Sequence, residues 1–236
     1  MLNSAKQSSF STMSHTEVCE TLYIFGGDST ALEIFETAER SFESSSIEIY
    51  HVVPANEGPD GERRINIERL DTHAEGRLGG YILSTANPAV RDSCRQTAEG
   101  LGLCPMSVIH PSATVSRTAT IGNGVYVAAQ AVVSAHAVVH DHVLINYHCV
   151  VGHHSEIGQD AVLNPGAKIG GRSAVGKRSL IGANSFVHQN RRIGDDVIVD
   201  AMTYVHQDIG DGLLISCRNK NGRPLRRPFF PRKAGD

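Results

Sequence analysis

Twelve histidines stand in the chain, and nine of them fall between residues 110 and 206. An imidazole with its ordinary pKa near 6.5 is mostly unprotonated at neutral pH, so it can take up a proton as a general base or bind a metal ion. The densest group lies in Ile145-Asn-Tyr-His-Cys-Val-Val-Gly-His-His-Ser-Glu-Ile-Gly158, which holds His148, His153 and His154. Base catalysis needs one positioned ring within hydrogen-bond reach of the proton it removes. Zinc needs several ligands converging at about 2.0–2.1 Å. Elsewhere the histidines are regularly placed: His136 and His154 are eighteen residues apart, as are His188 and His206, so each pair is expected to stack. His110 and His140 stand where a compact polar residue suffices.

What must position these rings is a repeat. From Ile109 to Val205, every sixth residue is Val, Ile or Leu, seventeen positions in all. Four residues after each comes a second series, mostly small, through Ala131, Ala137, Cys149, Ser155, Ala161 and Ala167. One residue after each aliphatic, Gly, Asn or another compact residue recurs, as at Gly122, Asn146, Gly152, Gly158 and Gly170. A helix would repeat near 3.6 and a strand near 2, so a sustained six predicts a parallel β-helix. The aliphatic fills the interior, the small residue sits where walls converge, and Gly or Asn supplies the corner backbone.

The repeat covers fewer than half of the 236 residues, which predicts a second folded unit before it. Thr21 to Phe25 reads as a buried strand closing on Gly26-Gly27-Asp28-Ser29, followed by a helix over 29–41. Ile47 to Val53 and Gly80 to Thr85 read as further strands, 54–64 as a loop, and Asn87-Pro88 opens a helix to about Gly100. The fold class is therefore a small α/β, Rossmann-like N-terminal domain (19–107) followed by the β-helix (108–209). A disordered polar leader (1–18) precedes them and a basic C-terminal tail (210–236) follows. The glycine turn after the first strand suits a phosphate at a helix N-terminus, although Asp28 would repel one. A plain strand-to-helix turn accounts for it equally. The tail carries seven cations against Asp211 and Asp236, with three prolines that bar a long helix; it either docks on a neighbour, grips a phosphorylated ligand or is solvated.

A formal net charge of −3 gives no general pull towards nucleic acid or anionic membrane. No apolar run approaches the roughly 18 residues of a membrane span, and no signal-peptide core opens the chain. Five scattered cysteines, without disulfide or metal spacing, fit a reducing cytoplasm.

The repeat and the segment around His153 resemble sugar O-acyltransferases of the sialic-acid O-acetyltransferase (NeuD) type and the related PglD-type N-acetyltransferases of nucleotide-linked amino sugars. The resemblance runs from about Thr21 to Ile209. It implies a left-handed parallel β-helix in which three hexapeptides make one triangular coil. It also implies a homotrimer whose active site lies in a groove between subunits, with acetyl-CoA as co-substrate and a sugar or nucleotide-sugar acceptor, in polysaccharide biosynthesis. By register, Asn146 matches the family asparagine and His153 the catalytic base seven residues later. Acceptor contacts are implied at Gly26, Gly27, Asn87 and Arg91, CoA contacts near Gly171, Ala183 and Ala201, and no metal.

Three positions depart from that pattern. The acidic partner that orients the family's base is His154 here, leaving Glu156, Asp160 or a backbone carbonyl as candidates to take its place. A second family histidine is Val162, and the usual Gly-Val-Pro-Ala-Lys ending is replaced by Ser216 to Lys220. Three other functions compete: an acyl-carrier-protein-dependent sugar acyltransferase, a scaffold without activity, and a zinc lyase resembling γ-class carbonic anhydrases. The last would use His148 and His153, five residues apart, but its third ligand would fall at Ser112.

Overall fold

The computed structural model describes residues 19–26, 29–54, 63–219 and 225–226. The expected leader, Gly27, Asp28 and most of the basic tail lie outside them. The N-terminal unit runs β1 (Thr21–Phe25), α1 (Ser29–Ser41), β2 (Glu48–Val53), β3 (Arg64–Asn66), α2 (Leu70–Ala74), β4 (Gly79–Leu83), α3 (Pro88–Gly100) and β5 (Cys104–Pro105). Its sheet has the order β3-β2-β1-β4-β5, all parallel. All five residues of β1 are buried, as a strand covered on both faces requires. The strand β3 and helix α2 were not foreseen, because a three-residue strand with Ile65 as its only apolar residue carries no periodic signal.

From Val108 the chain winds into a left-handed parallel β-helix of two-residue strands joined by turns. Residues eighteen apart pair in parallel, as Val132 with Val150 and Lys168 with Phe186, so three hexapeptides close one coil. The first face begins at Val108–Ile109, the second at Thr114–Val115 and the third at Thr120–Ile121. Turns such as 146–149 join first to second, 152–155 second to third, and 158–161 third to first. They are called here the 1–2, 2–3 and 3–1 corners.

Within each strand pair the second residue points inward: Ile145, Val151 and Ile157 are wholly buried in one continuous core. The small series lines that core too. Where it carries serine the hydroxyl is satisfied, since Ser173 Oγ donates to the His188 carbonyl and accepts from the Arg191 amide.

Outward residues of the first face are large and apolar, and α1 covers them. Val108, Tyr126, Leu144 and Val162 form one cluster with Ala31, Ile34 and Ala38 of the helix. Thr37 Oγ1 bonds the Tyr126 hydroxyl at 3.2 Å within that contact.

Two expectations about the repeat are corrected. Left-handed φ falls on the third residue after the aliphatic, as at His148 (+55°), His154 (+59°) and Arg172 (+60°), and not on the first. The glycines in the first position answer close packing instead: a Cβ on Gly152 would sit 2.6 Å from the Gly171 nitrogen one coil on. Nor does β-structure end at Ile209. Ile209 bridges Ile193, and Leu213–Ile215 joins the first face beside Ile198–Val199. The last 2–3 corner is two residues short, which puts Ile209 four residues after Val205 and breaks the period of six. Leu225–Arg226 then pairs antiparallel with Leu213–Leu214 at the edge of that sheet.

Candidate active site

The 2–3 corner presents His153 and His154 as consecutive turn residues, both exposed. Their Nδ1 atoms lie 3.1 Å apart in a hydrogen bond, with the rings nearly perpendicular at 87°. One ring must donate and the other accept. With His154 accepting, His153 carries its proton on Nδ1 and Nε2 keeps a free lone pair. That Nε2 lies over Gly171 of the next coil, where a Cβ would approach it to 2.6 Å. Glycine is what lets the ring lie there.

His154 in turn packs against His136 of the preceding coil, centroid to centroid 4.9 Å, with the rings tilted at 42° and not stacked as expected. Reduced hydration, then repulsion of a proton on it by Arg172 and the neighbouring rings, holds its pKa below the ordinary histidine value. It is therefore neutral, and able to accept, around pH 7. Neither carboxylate considered as a replacement for the family's acid reaches His153. Glu156 pairs with His140 Nε2 at 2.8 Å, and Asp160 is held by Arg95 at 2.9 Å and Arg91 at 3.4 Å. The group that bonds His153 Nδ1 is the neighbouring imidazole.

Within one chain the remaining expected residues divide between two corners. Gly171 lies under His153, whereas Asn146, Ala183 and Ala201 line the 1–2 corner at the other end of the second face. Asn146 Oδ1 accepts from the Tyr147 amide at 2.8 Å, and its side-chain NH2 meets no acceptor among the described residues. The amides of Gly171 and Ala183 are likewise without an acceptor among the described residues, but that of Ala201 donates to Asp200 Oδ1 at 2.9 Å.

His148 belongs to the 1–2 corner and His153 to the 2–3 corner, so the strand Val150–Val151 separates the suggested zinc pair. No group of three or more His, Cys, Asp or Glu among the described residues could hold a metal. Of the other histidines, His188 and His206 each pack on Tyr204, at 6.2 and 5.8 Å, instead of on one another. His110 Nδ1 accepts from the Ser112 amide.

In the N-terminal unit, Gly26 adopts φ +141°, and a Cβ there would fall 2.0 Å from Ser84 Oγ, so only glycine fits. It stands at the carboxyl end of β1 beside β4, where strand order reverses, the place at which open α/β sheets bind ligands. Asn87 Oδ1 accepts from the Val90 amide at the start of α3. The contact expected of Arg91 is corrected: its guanidinium is 1% exposed and bonds Asp160, the Thr85 carbonyl and the His142 carbonyl. Such burial keeps the guanidinium out of reach of a ligand. Arg91 instead clamps α3 to the 3–1 corner, with Arg95 beside it. Sequence reading missed this junction because Asp160 occupies an ordinary turn position of the repeat and nothing local marks its partner.

A groove of about 700 Å³ runs along the third face between His140, Lys177, Arg192 and Asp211. The His153 ring is not in its wall.

No family profile matches the sequence, and no curated protein matches it. Solved structures do. The acetyltransferase domain of PglB from Neisseria gonorrhoeae FA1090 is 27% identical, with a TM-score of 0.76 over 87% of this chain and 100% of that one. PerB from Caulobacter crescentus, solved with CoA and GDP-perosamine, is 26% identical, with a TM-score of 0.76 over 87% of this chain and 97% of that one. WeeI from Acinetobacter baumannii AYE, at 17% identity and a TM-score of 0.78, shares the fold. Fold and comparisons together define a left-handed β-helix acyltransferase led by a small α/β unit. The chain is similar to solved sugar acetyltransferases of this architecture.

Proposed function

We propose that the protein is an acetyl-CoA-dependent N-acetyltransferase whose acceptor is an amino sugar linked to a nucleotide. The PglB domain has been solved with acetyl-CoA, and PerB with CoA and a GDP-linked sugar, which supports both co-substrates here. One observation carries the reading. The Nδ1–Nδ1 bond orients His153 with Nε2 unblocked above a glycine, as a general base requires. In the reaction the acceptor amine attacks the thioester carbonyl, the C–N bond forms and the C–S bond breaks. The amine proton passes to Nε2 of His153 and from there to the departing thiolate. His154 orients the base and is not itself the proton acceptor.

The division of site residues between two corners supports assembly. A homotrimer that sets the 1–2 corner of one subunit beside the 2–3 corner of the next would bring Asn146 and the free Ala183 amide of one chain to His153 and Gly171 of another. The CoA strand of the site is then Gly171 and Ala183, with Ala201 one coil beyond Ala183. Acceptor nucleotide would enter at Gly26 and Gly27, Asn87 ordering the helix behind it. All five cysteines are free, and no described helix is long and apolar enough to cross a membrane; both support a cytoplasmic enzyme.

The test is turnover of acetyl-CoA with a panel of nucleotide-linked amino sugars by wild type and His153→Asn. Loss of about 10²–10⁴-fold with an intact oligomer is expected. Turnover within a few-fold of wild type would remove His153 from the mechanism.

A further inference from the structure

Charge is sorted between the corners of the β-helix. The five 2–3 turns from Ser116 to Arg191 contain the cations Arg117, Arg172 and Arg191, four histidines, and no Asp or Glu. The 3–1 turns carry Asp141, Asp160, Asp195 and Asp196. Two arginines in the same left-handed turn position show the difference. Arg178, on the 3–1 corner, is held by Asp196 through bonds of 2.9 and 2.7 Å. Arg172, six residues earlier on the 2–3 corner, is exposed, and its guanidinium meets no acceptor among the described residues. The carboxylate nearest in sequence to the histidine pair, Glu156, is turned to His140 on the third face.

Arg172 is placed by the catalytic corner itself. Its amide donates to the His153 carbonyl at 2.9 Å, which fixes it one coil on, about 4.8 Å along the axis. We infer that the Arg172 guanidinium is the anchor for the diphosphate of the nucleotide-linked acceptor. This rests on the acceptor class proposed above.

A guanidinium offers parallel N–H donors that match phosphate oxygens two at a time. Both co-substrates contain phosphates, and reach separates them. In the acceptor, one sugar ring stands between the amine and the diphosphate. In CoA, the whole pantetheine arm stands between the thioester and its phosphates. A cation one coil from the base meets the first of these. The absence of any carboxylate along the 2–3 turns from Ser116 to Arg191 keeps that corner open to an anion.

The experiment measures binding of UDP, GDP and CoA by titration calorimetry to wild type, Arg172→Gln, Arg172→Lys and His153→Asn. For the nucleoside diphosphate that wild type binds, Arg172→Gln is expected to weaken affinity by about 10- to 100-fold, the worth of charge-assisted hydrogen bonds. CoA affinity should stay within about twofold. Arg172→Lys should fall between, keeping the charge without the fork. His153→Asn should bind the diphosphate as wild type does while turning over poorly, so loss of the base and loss of the anchor are told apart. Unchanged diphosphate affinity in a folded Arg172→Gln protein overturns the inference, as does wild type binding neither UDP nor GDP. A loss confined to CoA overturns it too, by assigning Arg172 to the other co-substrate.

Discussion

Gly171→Ala separates catalysis from folding in a single methyl group. The added Cβ would lie 2.6 Å from Nε2 of His153, 2.8 Å from Cε1 and 3.0 Å from Cδ2, so it would sit on the ring face. Ordinary carbon contacts begin at about 3.5 Å, so the ring must move by roughly 1 Å. His153 is exposed, so its ring can give way into solvent, and the backbone at Gly171 does not have the positive φ that would strain alanine. Stability should therefore hold, or rise by about 0.4–1 kcal/mol through the stiffer unfolded chain. Activity should not: a 1 Å misplacement of a reacting group costs about 10²-fold. Thermal unfolding and acetyl-transfer kinetics on the same preparation would read both. A variant as stable as wild type whose turnover stays within about threefold would show that the ring's seat over Gly171 has nothing to do with the chemistry.

Three further outcomes are expected. Asp160→Asn leaves Arg91 without a carboxylate at a buried junction and Arg95 with Asp92 alone, and should cost about 3–5 kcal/mol in denaturant unfolding; a loss below about 1 kcal/mol would contradict the clamp. His154→Asp sets an anion beside His153 and favours its protonated form. The acid limb of the rate profile should then move to higher pH, by up to about one unit given the exposure of the pair; no movement, or movement to lower pH, would refute the orienting role. In wild type that limb should lie in the acid range, since the lowered pKa of His154 keeps it neutral at pH 7 and it loses its accepting role only as pH falls. Burial pushes the Cys149 thiol up to about 12, so a maleimide at pH 8 should label exposed Cys104 and Cys217 and spare it in the native protein, as mass spectrometry would show.

The β-helix was legible because one residue in six has a single job. An inward Val or Ile at that spacing has no other regular solution, and Val151 and Ile157 fill it as the repeat demands. The face that docks the α/β unit is legible too: Tyr126, Leu144 and Val162, each just before an inward aliphatic, are bulky and apolar where Thr114, Thr120 and Glu156 are polar. Pairings across the fold were not legible. Arg91 precedes Asp160 by 69 residues, and nothing local tells a ligand-binding arginine from one buried against a turn. The tie between His153 and His154 was hidden as well, since adjacency in sequence does not say that two rings face one another.

The strand Leu225–Arg226 runs backwards against the end of the first face. A stack of parallel rungs would otherwise present a bare row of amides and carbonyls, ready to accept another molecule's rung in the same direction. One reversed segment spoils that template. It gives the prism a stopper, and growth into fibres by end-to-end addition meets mismatched bonding along that side.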